Sequence, residues 1–348
     1  MKSFTVAALV ASAAAAPFNF PLSNGFPSPS NDAIATIQKQ AGGPLPNTPL
    51  PTELSDGVVT SLQLIAANEI FEVAYFTELY HNITENVPGY EATEEDRYFV
   101  TQAIRRIRAQ EELHALGANA ILKNAGKPTV GACEYNFPVN SFQSAIKLAN
   151  TFTDVVLGVL PAVQYLAGTN GGAQGPALIP LIGSIEEQEA QQTGWFRTLR
   201  GKLPSAAPFL SPTTPEFALS AVLQFIVNGT CPPEYAAVTS AVKSFPPLNV
   251  VKAPSEDVQT AYYSVDGTIA SGNVLAYITG QSLPVVVAIE NAKTEDGKTT
   301  FSAAFPAIAQ SFSDGLTVAA VVSSNQTFAN ATQVAQNTVF GPGLIEYQ

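Results

Sequence analysis

The fold is decided by the stretch IRRIRAQEELHALGANAI, which occupies residues 104–121. Positions spaced alternately three and four apart share one face of a helix. Along this stretch they are Ile104, Ile107, Glu111, His114, Ala118 and Ile121. A Glu-x-x-His pair therefore occupies one turn of an otherwise apolar face. Because a buried charge without a partner is costly, the pattern predicts a core helix that contributes to a polar site.

Three other segments keep the same helical spacing, and two of them show the same polar interruption. The interrupted ones follow Leu62, Ile65, Glu69, Glu72, Phe76 and Leu79, and then Leu178, Ile182, Ile185, Glu189, Gln192, Phe196 and Leu199. The remaining segment follows Ile146, Ala149, Thr153, Val156, Leu160 and Val163. Clusters of Gly and Pro separate the segments. The sequence thus predicts four long helices from residue 57 onwards, with a shorter fifth near residues 215–227.

Carboxylates on three core faces indicate a metal site. Four-helix bundles that bind two metal ions take one Glu from each of two helices and a Glu-x-x-His from each of the other two. Here Glu69 or Glu72 would serve on the first helix, and Glu111 with His114 on the second. Glu189 would serve on the last helix. Oxygen and imidazole ligands suit Fe or Mn, so these are the metals expected if any is bound.

Two positions depart from the full ligand set. Gln192 stands where the second His is expected, and Thr153 stands where the third helix should supply a Glu. About four protein ligands remain. Three alternatives stay open at this point: a metal-free site without a cofactor, a site for one ion, and a working two-metal oxidase.

Four stretches resemble a known family: NEIFEVAYF (68–76), QEELHAL (110–116), FTDV (152–155) and EAQQTGWF (189–196). They are similar to the ferritin-like domain proteins of fungi described as late-sexual-development or stress-response proteins. The resemblance covers roughly residues 57–232. It implies a ferritin-like fold and a link to sexual development, nutrient limitation or stress in a filamentous fungus. The Glu-x-x-His-x-x-Trp pattern of ferritin-like fourth helices is matched except at Gln192.

The predicted fold class is α+β multidomain, a ferritin-like four-helix bundle followed by a small β-sandwich-like domain. Residues 1–16 carry Lys2, an apolar run and small residues, the pattern of a secretory signal peptide. Residues 17–56 are rich in Pro and are expected to form an extended arm. The bundle is assigned to residues 57–232, a linker to 233–252, and the β-rich domain to 253–348, where short β-branched runs alternate with Gly, Asp and Asn.

Composition and cysteine content bear on the compartment and the partners. The net charge is −12 and no basic patch is evident, which argues against nucleic acid as a partner. After the signal peptide, no apolar run is expected to be long enough to span a membrane. Cys133 and Cys231, the two cysteines of the chain, are predicted to form a disulfide in an oxidising compartment. Sequons for glycosylation begin at Asn82, Asn228, Asn325 and Asn330.

Two functions follow as hypotheses from these patterns and from the resemblance. The preferred one is a secreted or cell-wall-associated protein with a degenerate di-metal site and no catalytic activity. Its partner is unknown, with cell-wall components or another protein as candidates. The alternative is a metal-dependent oxidase or peroxide-consuming enzyme that uses Fe or Mn at the residual site.

Overall fold

The computed structural model describes residues 16–310 and 312–347, so the predicted signal peptide lies almost wholly outside the described residues. The helices are α1 (Asn31–Ala41), α2 (Asp56–Thr84), α3 (Glu94–Asn124), α4 (Phe142–Asn170), α5 (Ile179–Leu199), α6 (Pro215–Leu223), α7 (Ala236–Ala241), α8 (Ala307–Gln310) and α9 (Ala331–Asn337). The strands are β1 (Asn249–Lys252), β2 (Thr260–Asp266), β3 (Val274–Thr279), β4 (Val285–Val287), β5 (Ile289–Glu295), β6 (Lys298–Ala304), β7 (Gly315–Val322) and β8 (Thr338–Tyr347). Four long helices followed by two small antiparallel sheets confirm the predicted α+β class.

Three of the four long helices begin at a hydroxyl side chain. Ser55, Thr93 and Ser141 each accept a hydrogen bond from the backbone N–H three residues further on, at the starts of α2, α3 and α4. Such caps satisfy donors that have no partner inside the helix. The fourth, α5, begins without a side-chain cap but has Pro180 in its first turn, where a missing N–H costs nothing.

Aromatic rings join three of the long helices. The Phe152 ring of α4 lies 5.2 Å from Phe71 and 4.9 Å from Tyr75 of α2, centroid to centroid. Phe76, also on α2, stacks on Phe196 of α5 at 5.9 Å. Aromatic pairs of this kind add about 0.5–1.5 kcal/mol each beyond their area burial. This layer fixes the spacing of α2, α4 and α5 next to the polar turns.

The helix α4 is more apolar than the sequence analysis allowed. By length and composition it would pass as a membrane span, because an 18-residue window in it has a mean hydropathy of 1.4. The expectation that no later run approaches that limit is therefore wrong. Of that window, 72% is buried inside the protein, as in the core helix of a bundle.

The eight strands form two four-stranded antiparallel sheets, in the orders β1-β2-β6-β5 and β4-β3-β7-β8. Successive side chains of a strand point to opposite faces of its sheet. On β3, Ala276 and Ile278 pack into the core that includes the bundle, while Leu275 and Tyr277 pack into the core between the sheets. The second sheet is therefore the middle layer of the molecule, and β7 is buried along its whole length.

Strands β5 and β6 are joined by a tight turn at Asp296-Gly297. Both residues have positive φ, 48° for Asp296 and 77° for Gly297. A two-residue hairpin loop with positive φ at both positions matches the twist of the flanking strands. The strands pair in register from Glu295 and Lys298.

Two segments differ from the sequence prediction. Residues 17–56 are not extended throughout, because they contain α1, which packs on α3 through Ile37 and Ala41. Residues 233–252 do not form a simple linker, because they contain α7 and β1. Their apolar side chains, among them Val238 and Phe245, are buried in the main core.

The predicted disulfide between Cys133 and Cys231 is present and joins residues 98 positions apart. It fastens the loop that precedes α4 to the turn that follows α6. Next to it, Tyr135 forms isolated β-bridges with both Phe18 and Ile226. The N-terminal segment is thereby tied to the same point of the bundle.

We predict opposite effects for two glycines inside long helices. A Cβ on Gly158 of α4 would lie 2.7 Å from the carbonyl oxygen of Ser211, so Gly158→Ala should lower the free energy of unfolding by about 1–3 kcal/mol. A Cβ on Gly117 of α3 meets only Leu45, at 3.9 Å, so Gly117→Ala should raise it by about 0.5–1 kcal/mol. Denaturant unfolding measures both. If Gly158→Ala leaves the free energy of unfolding unchanged, the close approach between α4 and residues 211–213 is contradicted.

Candidate metal centre

Three helices bring four ionisable side chains to one level of the bundle. Glu69 comes from α2, Glu111 and His114 from α3, and Glu189 from α5. The three glutamates are fully buried and the His114 side chain is 13% exposed. Each lies on the apolar face of its helix, where the spacing of three and four residues turns it toward the neighbouring helices. One ligand atom from each of the four lies within 4.8 Å of all the others.

The imidazole of His114 is at the centre of this group. Its Nδ1 lies 2.8 Å from Glu111 Oε2, 3.4 Å from Glu69 Oε2 and 3.8 Å from Glu189 Oε1. Ligand atoms that share a transition-metal ion at about 2.1 Å lie about 3 Å apart. The spacing in the group is close to this, so small side-chain movements would admit one ion.

Several carboxylate oxygens in the group are buried without partners. Both oxygens of Glu69 and both of Glu189 lack a hydrogen-bond donor among the described residues. Buried polar atoms are nearly always paired in native proteins, and an exception calls for a bound ion or water. A donor set of three carboxylates and one imidazole fits Fe or Mn.

Burial changes the protonation of the group. It raises the pKa of Glu69 from 4.5 to about 7 and holds the pKa of Glu189 well above its usual value, with the Glu69 charge adding to the effect on Glu189. Burial alone would lower the pKa of His114, but the neighbouring Glu111 and Glu69 carboxylates raise it well above 6.5. Without a cation the group therefore retains protons that a metal ion would displace.

A second ion has fewer ligands. Glu72, also fully buried, accepts a hydrogen bond from Asn68 Nδ2 at 2.8 Å and lies outside the group of four. Gln192 Nε2 donates to Glu111 Oε1 at 2.6 Å, so Gln192 orients a ligand. Thr153 is buried, and its hydroxyl has no partner in the part of the chain that the structure describes. These residues do not provide the second Glu-x-x-His, or the Glu of the third long helix, that a two-metal site uses.

A cavity reaches the group from one side. Its volume is about 330 Å³, and it is lined by α2, α3, α5 and the segment that follows α1. His114 is part of its wall. The sequence analysis missed this cavity, because its outer wall comes from residues 41–50, which carry no helical or strand period.

A second buried charged cluster lies between the bundle and the sheets, and the sequence analysis also missed it. Asp154 of α4 accepts a hydrogen bond from Asn150 Nδ2 at 2.8 Å. Burial and the Glu346 carboxyl of β8 hold the pKa of Asp154 well above its usual value, while Arg197 lowers it. Burial also raises the pKa of Glu346, against the effect of Arg200 and Arg197. This cluster joins β8 to α4 and α5.

The predicted glycosylation sites differ in exposure. Asn228, Asn325 and Asn330 are exposed, whereas Asn82 is partly buried near the end of α2. The side chain of Asn330 also caps α9, since its Oδ1 accepts from Gln333 N at 3.0 Å. Glycosylation of the four sites stays a prediction.

Four long helices with carboxylate and imidazole groups facing one another across the core define the class of ferritin-like bundles with a candidate metal site. Residues 57–202 match the family model described as ferritin-like domain. The sequence has no match among curated proteins. Residues 57–202, which contain the four long helices, thus match a ferritin-like domain, and the sheets that follow lie beyond the matched residues.

We predict that the metal-free protein becomes less stable as the pH rises from about 5 to about 8. The unfolded chain releases the Glu69 proton near pH 4.5, whereas the folded protein holds it until about pH 7. In that interval the folded state binds more protons, so the free energy of unfolding falls as the pH rises. The raised pKa of His114 acts in the same direction above pH 6.5. Denaturant unfolding in the presence of a chelator measures this slope.

Glu69→Gln is the control for this slope, because it keeps the shape of the side chain and removes its titration. Its stability should decline less over the same pH range than that of the wild type. Equal slopes would show that Glu69 is ionised in the folded metal-free protein.

Proposed function

We propose that this chain is a secreted ferritin-like protein that holds one Fe or Mn ion between α2, α3 and α5. Glu69, Glu111, His114 and Glu189 would be its ligands. The observation that carries the proposal is the set of buried Glu69 and Glu189 oxygens without hydrogen-bond partners among the described residues. One oxygen of each glutamate lies near His114 Nδ1, at 3.4 Å for Glu69 and 3.8 Å for Glu189. A bound cation would add positive charge to a group in which three carboxyl groups share one imidazole.

The proposed ion is structural, and the two-metal site of the bundle is degenerate. Gln192 is committed to Glu111 by a hydrogen bond, and Thr153 is too short and neutral to replace a carboxylate. With one ion, the site would link three helices through four side chains whose carboxyls otherwise retain protons in the core. This supports a non-catalytic role, in which the bundle and the sheets form a stable scaffold.

Secretion and a role in the cell wall are further parts of the proposal. The N-terminal sequence pattern supports export, and the disulfide is compatible with an oxidising compartment outside the cell. The resemblance to late-sexual-development and stress-response proteins supports a role in sexual development or stress in a fungus. The partner would then be a cell-wall component or another protein.

A second candidate function is a metal-dependent oxidase or a peroxide-consuming enzyme. It is favoured by the cavity, because His114 lies both in the ligand group and in the cavity wall. Small molecules entering the cavity would reach the ion from the His114 side. The bound Fe or Mn would supply the redox chemistry, and the three glutamates would hold it in place.

We predict that the protein, purified without a histidine tag or chelator, carries about one equivalent of Fe or Mn. Two glutamates on α2 provide a matched pair: Glu69→Gln should lose the metal, and Glu72→Gln should retain it, because only Glu69 belongs to the ligand group. His114→Ala should also lose the metal, while His81→Ala, at an exposed position, should not. Elemental analysis of the five proteins measures this.

Metal-linked stability completes the test. A hundredfold excess of metal over its dissociation constant should stabilise the wild type by about 2.7 kcal/mol and leave Glu69→Gln unchanged. Wild-type protein that binds no metal, or two equivalents, would overturn the one-ion proposal. Peroxide consumption by the metal-loaded wild type, absent in His114→Ala, would favour the enzyme over the scaffold.

We predict that the mature protein secreted by a fungal host begins near residues 14–18, because small residues suited to signal cleavage precede that point. Mass spectrometry of the secreted protein gives its first residue. An intact N-terminus, or retention of the protein in the cytoplasm, would contradict secretion. The same spectra show which of the four sequons carry glycans.

A further inference from the structure

A second cleft lies where the helical bundle meets the sheets, and we call it the junction cleft. Its walls come from α2, α4, α6, β1 and β8. Its volume is about 500 Å³, and small-molecule sites typically have volumes of about 300–1,000 Å³ and often lie between structural units. The four residues of the candidate metal centre do not line it. The junction cleft is therefore separate from that centre.

Hydrogen bonds tie three of these walls to one another. Phe245 N donates to Ser220 Oγ at 2.9 Å, which joins the segment before β1 to α6. Gly341 N donates to the carbonyl of Pro246 at 2.9 Å, which joins β8 to the same segment. Because these walls are fixed to one another, the cleft exists before any ligand enters it.

Three phenylalanines form an aromatic part of the lining. Phe71 of α2 lies 5.2 Å from Phe152 of α4 and 5.4 Å from Phe225, which follows α6, centroid to centroid. All three residues line the cleft, and Phe225 is only partly buried. Aromatic rings gain from edge and stacked contacts with other rings beyond the burial of apolar area. This part of the cleft therefore favours a ligand with an aromatic body.

The α4 wall of the cleft carries one charged side chain. Ser144, Lys147 and Thr151 line the cleft, and their spacing of three and four residues places them on one face of α4. Lys147 is exposed, and it has no ion-pair partner among the described residues. Of the described residues that line the cleft, Lys147 alone has an ionisable side chain. Its ammonium group is therefore free to meet a ligand.

This charge selects the head group of the ligand. A lysine ammonium offers three donors and no acceptor, so its partner must be an acceptor. A carboxylate meets this need with a charge-assisted hydrogen bond. A phosphate monoester carries close to two negative charges, and the second would find no cation among the lining side chains. One lysine therefore matches one carboxylate.

We propose that the junction cleft binds an aromatic monocarboxylate, with its rings against the three phenylalanines and its carboxylate at Lys147. The rings would bury apolar surface between the bundle and the sheets, and the carboxylate would stay at the open side of the cleft, where Lys147 is exposed. The binding requires no metal ion and uses no residue of the candidate metal centre. It therefore goes beyond the proposed function and stands or falls separately from it.

The test is calorimetric titration of the full chain with 2-naphthylacetate, and with the neutral 2-naphthaleneethanol, which has nearly the same shape. Lys147→Met keeps most of the side-chain length and removes the charge. Lys123→Met is the matched control, because Lys123 is an exposed lysine of α3 that does not line the cleft. Ala221→Phe, on the α6 wall, should fill part of the space. Denaturant unfolding checks that the three variants are folded.

Wild type and Lys123→Met should bind one 2-naphthylacetate per chain with equal affinity. Lys147→Met should bind it about tenfold more weakly, as loss of one charge-assisted hydrogen bond implies. The same substitution should change the affinity for 2-naphthaleneethanol much less, because that ligand carries no charge. Ala221→Phe should weaken the binding of both ligands. Added salt should weaken the binding of the acid by the wild type, since Lys147 is exposed to solvent.

Failure of the wild type to bind 2-naphthylacetate overturns the proposal. Equal binding of the acid by wild type and Lys147→Met overturns the role of Lys147, and unchanged binding by a folded Ala221→Phe overturns the location in the cleft. Decahydro-2-naphthylacetate, the saturated analogue, should bind more weakly than 2-naphthylacetate, and equal affinities would overturn the choice of an aromatic body. Binding of the acid by protein that never takes up Fe or Mn would support the cleft site while refuting the metal-binding function.

Discussion

Glu69, Glu111, His114 and Glu189 place their ionisable groups at one level of an apolar bundle, where no water solvates the charges well. The cost is reduced in three ways: His114 carries a positive charge, Gln192 donates to Glu111, and carboxyls retain protons. A cation would replace these protons after small side-chain movements. The aromatic contacts between α2, α4 and α5 keep these three helices at a fixed distance from one another.

The N-terminal segment contributes more to the centre of the protein than its composition indicates. Asn24 Nδ2 donates to Glu112 Oε2 at 2.7 Å, which partners a buried carboxyl next to the ligand Glu111. Further on, α1 packs against α3, and residues 41–50 enclose the cavity. The environment of the candidate metal site therefore depends on residues outside the ferritin-like match at 57–202.

Helical spacing alone predicted the four long helices, the polar turns and the level at which they meet. It did not distinguish Glu69 from Glu72, since both lie on the same face of α2. In the structure Glu72 has a local hydrogen-bond partner in Asn68, and Glu69 is the α2 residue that joins the ligand group. α1 was missed because prolines surround it. The cavity and the Asp154–Glu346 cluster were missed because they arise from segments far apart in the sequence, where periodicity carries no information.

The cluster around Asp154 also bears on how the chain folds during synthesis. Asp154 on α4 precedes Glu346 on β8 by 192 residues (346 − 154). At about 5–20 residues per second, the ribosome needs roughly 10–40 s to produce that interval. The long helices are complete by residue 199, well before β8 is made. Until β8 is synthesised, Asp154 therefore lies on a flank of the nascent bundle that is open to water.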